Sequence, residues 1–74
     1  METCDIVLAA TLKVCGFKLW EIKVVDRKGT FIFGVVPSDF LDEYNTGNCL
    51  VEPVALNYAI KTLTTSVRRS IEEV

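Results

Sequence analysis

The chain has no histidine, which removes the side chain best suited to proton transfer near neutral pH and excludes imidazole metal sites outright. Most hydrolase constellations fall with it. The three cysteines, Cys4, Cys15 and Cys49, are odd in number and fit no C-x-x-C spacing, so neither a disulfide framework nor a zinc site is indicated. On one helix Cys4 and Cys15 would stand about 16 Å apart at ~1.5 Å of rise per residue, too far to bridge. All three read as small buried hydrophobes in a reducing compartment. The glycines, Gly16, Gly29, Gly34 and Gly47, stand singly, so there is no Gly-rich phosphate loop, and turns, caps or close strand contacts explain each of them.

No apolar stretch approaches the ~18 residues that a membrane span requires, and Met1 is followed by Glu2 and Asp5 instead of a basic leader. These signals predict a cytoplasmic chain with no membrane partner. Basic charge is also short: eight Lys and Arg face ten Asp and Glu, a net charge of −2 that argues against a general polyanion binder. The acid is concentrated in the middle. Residues 37 to 52 carry four acidic and no basic groups, whereas residues 53 to 74 carry three basic and two acidic ones.

What is present points to one small domain, residues 1–74. A chain of this length removes only about 60% of its unfolded surface from water, yet 50% of its residues are hydrophobic and 24% charged. That surplus of apolar surface predicts self-association into a homo-oligomer with an even number of copies.

The central pattern spells a strand from Phe17 to Asp26, a tight turn at Arg27-Lys28-Gly29 and a strand from Thr30 to Val36. Pairing Trp20 with Val35, Ile22 with Phe33 and Val24 with Phe31 gathers six apolar side chains on one face. The other face then shows Leu19, Glu21, Lys23, Val25, Thr30, Ile32, Gly34 and Val36. Of these, Leu19, Val25, Ile32 and Val36 are the candidate oligomer interface, and both hairpin edges are left unpaired.

A first helix follows Thr3 as N-cap, with Asp5 in its first turn, and stops at Gly16; it is apolar nearly all round and belongs between partners. Pro37 and Ser38 open a short acidic helix that turns Phe40, Leu41 and Tyr44 inward and ends at Gly47. After a connector from Asn48 to Glu52, Pro53 begins a last helix reaching about Glu72, with Leu56, Ile60, Leu63, Val67 and Ile71 as its core stripe. The expected class is α+β, in the order α-β-β-α-α, with a two-stranded hairpin covered by helices and extended by oligomerisation.

Three groups of residues carry candidate chemistry. Asn57, Lys61, Thr64 and Arg68, with Tyr58 and Arg69 beside them, make a polar stripe of donors able to grip a phosphate or nucleotide, although a solvated helix face looks the same. Asp39, Asp42 and Glu43 place carboxylates within reach of a hard cation, but acidic groups in a first helical turn are ordinary partners of the helix dipole. Trp20, on the face assigned to the core, reads as structural. No catalytic residue and no cofactor is indicated.

The segments Asp5-Ile6-Val7-Leu8-Ala9-Ala10 with Leu12, Gly16-Phe17-Lys18-Leu19, Phe31-Ile32-Phe33, Tyr44-Asn45-Thr46-Gly47 and Val51-Glu52-Pro53 leading to Leu56, Ala59, Lys61 and Leu63 run from about residue 3 to 67. In these the chain resembles a small uncharacterised domain family of phages, prophages and some bacterial and archaeal genomes. The resemblance implies a mobile-element setting and brings no catalytic residues. It suggests a non-enzymatic protein acting by stoichiometric capture of a host protein or of a nucleotide signal of antiviral defence. Two alternatives remain: a dimeric nucleic-acid-binding regulator using Lys61, Arg68 and Arg69 of the last helix, and a metal-dependent enzyme built on Asp39, Asp42 and Glu43.

Overall fold

A computed structural model describes residues 1–47 and 49–72. Asn48, in the expected connector, and the terminal Glu73 and Val74 lie outside the described residues. The elements are β1 (Glu2–Thr3), α1 (Ile6–Val14), β2 (Leu19–Val25), β3 (Lys28–Phe33), α2 (Ser38–Asn45) and α3 (Pro53–Glu72). The class is α+β as expected, but the sheet is three-stranded and antiparallel in the order β1-β3-β2. The strand that periodicity could not reveal is β1, only two residues long. It closes one hairpin edge: Phe33 donates its N–H to the Met1 carbonyl at 2.8 Å, and the Met1 nitrogen donates to the Phe33 carbonyl at 2.9 Å. Of the two hairpin strands, β2 keeps its outer edge unpaired among the described residues.

The hairpin differs from its predicted form in turn and register. Val25 pairs with Lys28, leaving Asp26 and Arg27 as a two-residue turn with φ of 51° and 65°. Two successive left-handed residues match the twist of the flanking strands, and aspartate tolerates that region well. The turn therefore does not use Gly29. Ile22 faces Phe31 and Val24 faces Gly29, a shift of two residues from the expected pairing that leaves these side chains on their predicted faces. Gly29 is needed for packing, since a Cβ there would sit 2.7 Å from Val67 Cγ2 of α3.

A bulge between Leu19 and Glu21 changes the alternation, so Leu19 faces Phe33 and joins the core while Trp20 turns outward and is 67% exposed. The assignment of Trp20 to the core is thus corrected. Its indole lies against Gly34, where a Cβ would come within 2.9 Å of Cζ2. The chain leaves the sheet after Phe33, so Val35 is 92% exposed and Val36 folds back onto the core.

Asp5, not Thr3, caps α1: its Oδ1 accepts the N–H groups of Val7 at 2.9 Å and Leu8 at 3.2 Å, while Thr3 Oγ1 accepts from the Asp5 N–H. The helix ends in a Schellman motif, with Phe17 N–H on the Leu12 carbonyl, Gly16 N–H on the Lys13 carbonyl and Gly16 at φ 94°. Glu52 brackets the start of α3 by accepting from Val54 and Ala55. Helices α1 and α3 pack together on one sheet face over Phe31 and Phe33, with Ala9, Ala10, Leu12, Ala59 and Leu63 completing the core. Thr11, almost fully buried, returns its hydroxyl to the Val7 carbonyl. No residue of α2 is buried; it is held by Phe40 against Phe17, ring centroids 5.1 Å apart, and by the Tyr44 hydroxyl donating to Asp5 Oδ2.

Candidate functional site

Helix α3 is 20 residues long and spends one stripe on the core, so its remaining arc faces outward. Asn57, Tyr58, Lys61, Arg68 and Arg69 are exposed on that arc and Thr64 is half-buried at its edge. The structure gathers part of this set. A hollow of about 320 Å³ is lined by Ile60, Lys61, Thr64, Thr65 and Arg68, and a second of about 270 Å³ by Lys61, Thr62, Thr65, Ser66 and Arg69. Lys61 and Thr65, one turn apart, belong to both. Tyr58 lines a separate depression between α1 and α3, with Lys13, Val14 and Ala55, and Asn57 stands one turn before Lys61.

Charge and hydrogen bonding sort these residues further. Among the described residues Lys61, Arg68 and Arg69 make no ion pair. The hydroxyls of Thr62, Ser66 and Ser70 donate to the carbonyls of Tyr58, Thr62 and Ser66, which commits those protons to the helix backbone. The charged donors facing outward are the two guanidinium groups and the Lys61 ammonium, with the exposed Thr65 hydroxyl beside them.

Thr64 and Arg68 also line a third hollow, of about 250 Å³, with Cys4, Ile6, Gly29, Phe31, Val67 and Ile71. Its walls are apolar and Phe31 is buried beneath it. The Cys4 thiol and the Thr30 hydroxyl meet at 3.4 Å, on the same side of the molecule. An apolar recess thus adjoins a basic one, sharing Thr64 and Arg68 as their common wall. The polar spacing of α3 predicted the basic half; the apolar half joins three segments distant in sequence and has no local signal. Thr65, four residues after Lys61 and next to the stripe in the sequence pattern, is part of that basic half.

The other candidates are dispersed. Of the expected interface residues, Val25, 66% exposed, and the half-buried Ile32 lie on the open sheet face, whereas Leu19 and Val36 pack on the core for the reasons given above. Asp39, Asp42 and Glu43 are exposed on α2, and among the described residues no group of three acidic or cysteine side chains is placed to hold a metal ion. The cysteines are not buried: Cys4 and Cys15 are exposed and Cys49 is intermediate. Cys4 precedes the helix, and Cys15 occupies the C-cap of α1, past its last core-facing turn. Burial, then the charge and hydrogen bonding of Cys49 beside it, push the Cys15 thiol above its ordinary value.

No described helix is long and apolar enough to cross a membrane. No family model matches this chain, and neither a curated protein nor a solved structure is similar to it.

Proposed function

We propose that this chain is a non-enzymatic binding protein that captures a small phosphate-bearing ligand, of nucleotide type, one per chain. The observation that carries the reading is the shared wall of Thr64 and Arg68 between an apolar hollow and the cationic one at Lys61 and Thr65. A ring entering the apolar side buries surface against Ile6, Val67 and Ile71, while its phosphate accepts from Arg68 and Lys61. For a phage-type protein, the ligand of this class would be a nucleotide signal of host defence. Capture of a host protein is the weaker branch, because it draws on neither hollow.

Calorimetric titration at low salt with adenosine monophosphate, adenosine and inorganic phosphate tests this. The nucleotide should bind at one per chain and more tightly than either half. Arg68→Gln and Lys61→Gln should each weaken it by about tenfold, the worth of one charge-assisted hydrogen bond. Absence of nucleotide binding overturns the proposal. Binding of a short DNA duplex without any mononucleotide binding would transfer the face to a nucleic-acid regulator, and conversion of the bound nucleotide would make the protein an enzyme.

A further inference from the structure

The free edge of β2 carries its own pairing instructions. Phe33 exchanges backbone hydrogen bonds with Met1, so the N–H and C=O groups of Phe33 and, by alternation, of Phe31 point toward β1. Ile22, opposite Phe31, therefore sits in a non-bonded pair of the hairpin. Its backbone groups, with those of Val24 two residues on, point away from the sheet into the space beyond the edge. The two-residue turn requires the same phase, because Val25 and Lys28 flank it as a bonded pair.

A second copy can add to this edge in antiparallel fashion only if outward-pointing residues meet outward-pointing residues. Of the registers that satisfy that condition, three keep most of β2 paired. A two-fold axis at Glu21 sets Glu21 against its own counterpart, and one at Lys23 does the same with Lys23; both place like charges directly opposite. An axis at Ile22 sets Glu21 of each copy opposite Lys23 of the other, twice, and pairs Ile22 with Ile22 in a bonded pair. Glu21 and Lys23 are exposed on the same face and make no ion pair among the described residues.

We infer that two copies of this chain associate through β2 in an antiparallel register centred on Ile22, forming one continuous six-stranded sheet with two Glu21–Lys23 pairs across the junction. The occupant is a second copy because only a two-fold operation meets both charges with their opposites from one sequence. The inference stands independently of the ligand reading above.

Sedimentation equilibrium from low micromolar to high micromolar concentration tests it with four proteins: the natural chain, E21K, K23E and the double variant. Each single change turns two attractions into two repulsions and should weaken dimerisation by about tenfold or more, given the worth of cross-strand charge pairs. The double variant restores both attractions with signs exchanged and should recover the natural affinity. Both residues are exposed, and unchanged circular dichroism shows that each variant folds. Hydrogen exchange adds a residue-level readout: the Ile22 and Val24 amides should slow as concentration rises. A natural chain that stays monomeric, a dimer indifferent to the single changes, or a double variant as weak as the singles would each overturn the inference.

Discussion

Replacing Gly29 with alanine sets two effects of opposite sign against each other. Gly29 does not have positive φ, so its backbone conformation admits alanine, and in a strand the change should stabilise by about 0.5–1 kcal/mol through the unfolded chain. Against that, the new Cβ would lie 2.7 Å from Val67 Cγ2 and 3.2 Å from Cγ1. Val67 cannot swing aside, because a β-branched residue on a helix has one strongly preferred rotamer and both of its methyls crowd the site. Helix α3 must lift from the hairpin, at the usual overpacking cost of about 1–3 kcal/mol. The clash outweighs the gain over most of these ranges, and the net loss of up to about 2.5 kcal/mol lowers the melting temperature by up to roughly 20 °C for a domain of this size. In a Val67→Ala background the opponent is gone, so the same glycine change should become neutral or stabilising. Urea and thermal melts of the four proteins, followed by circular dichroism, give the coupling energy directly. An alanine that stabilises the natural chain, or that costs the same in both backgrounds, would refute the close approach of hairpin and helix.

Asp5→Ala should cost about 0.5–2 kcal/mol in urea denaturation, because Asp5 Oδ1 serves two amide donors at the start of α1, and Asp5→Asn should recover most of it. Trp20→Ala should stay within about 0.5 kcal/mol of the natural chain, whereas a buried tryptophan would cost about 3–5 kcal/mol, a result that would return the indole to the core. Burial, with the Asp5 carboxylate beside it, raises the Tyr44 phenol above its ordinary 10.0. The unfolded chain then loses that proton first, so the contribution is fully present below pH 10 and is lost as pH climbs through the folded value. Tyr44→Phe should therefore lose less stability on alkaline titration, and matching alkaline melts for the two proteins would count against the Tyr44–Asp5 contact.

The elements with local punctuation were legible in the sequence. Gly16 ends α1, Pro37 and Gly47 bound α2, and Pro53 with Glu52 begins α3, each for a reason contained within a few residues. The hairpin was legible in its faces but not in its turn, because Gly29 competes with Asp26 and Arg27 for the turning positions. Only the neighbouring Val67, 38 residues later in the chain, shows that the glycine is spent on packing. The bulge at Trp20 had no local signal, and it carried Leu19 and Trp20 to opposite destinations from those that strict alternation gives them. A two-residue strand such as β1 lies below the length at which any period is measurable.

The same limits explain the uneven legibility of the site. Lys61, Thr64 and Arg68 share a helix arc, and spacing alone reveals them; Cys4, Ile6, Gly29 and Phe31 come to the neighbouring hollow only because β1 pairs with β3 beneath α3. That placement also separates the two proposed contacts. The hollow includes residues next to β1, at one side of the sheet, whereas the free backbone groups of Ile22 and Val24 lie along β2 at the other, with β3 between them. Joining two copies through β2 therefore uses the edge that the apolar hollow does not touch. A chain with too little interior for its apolar residues can in this way gain buried surface by pairing without occupying the recess it offers to a ligand.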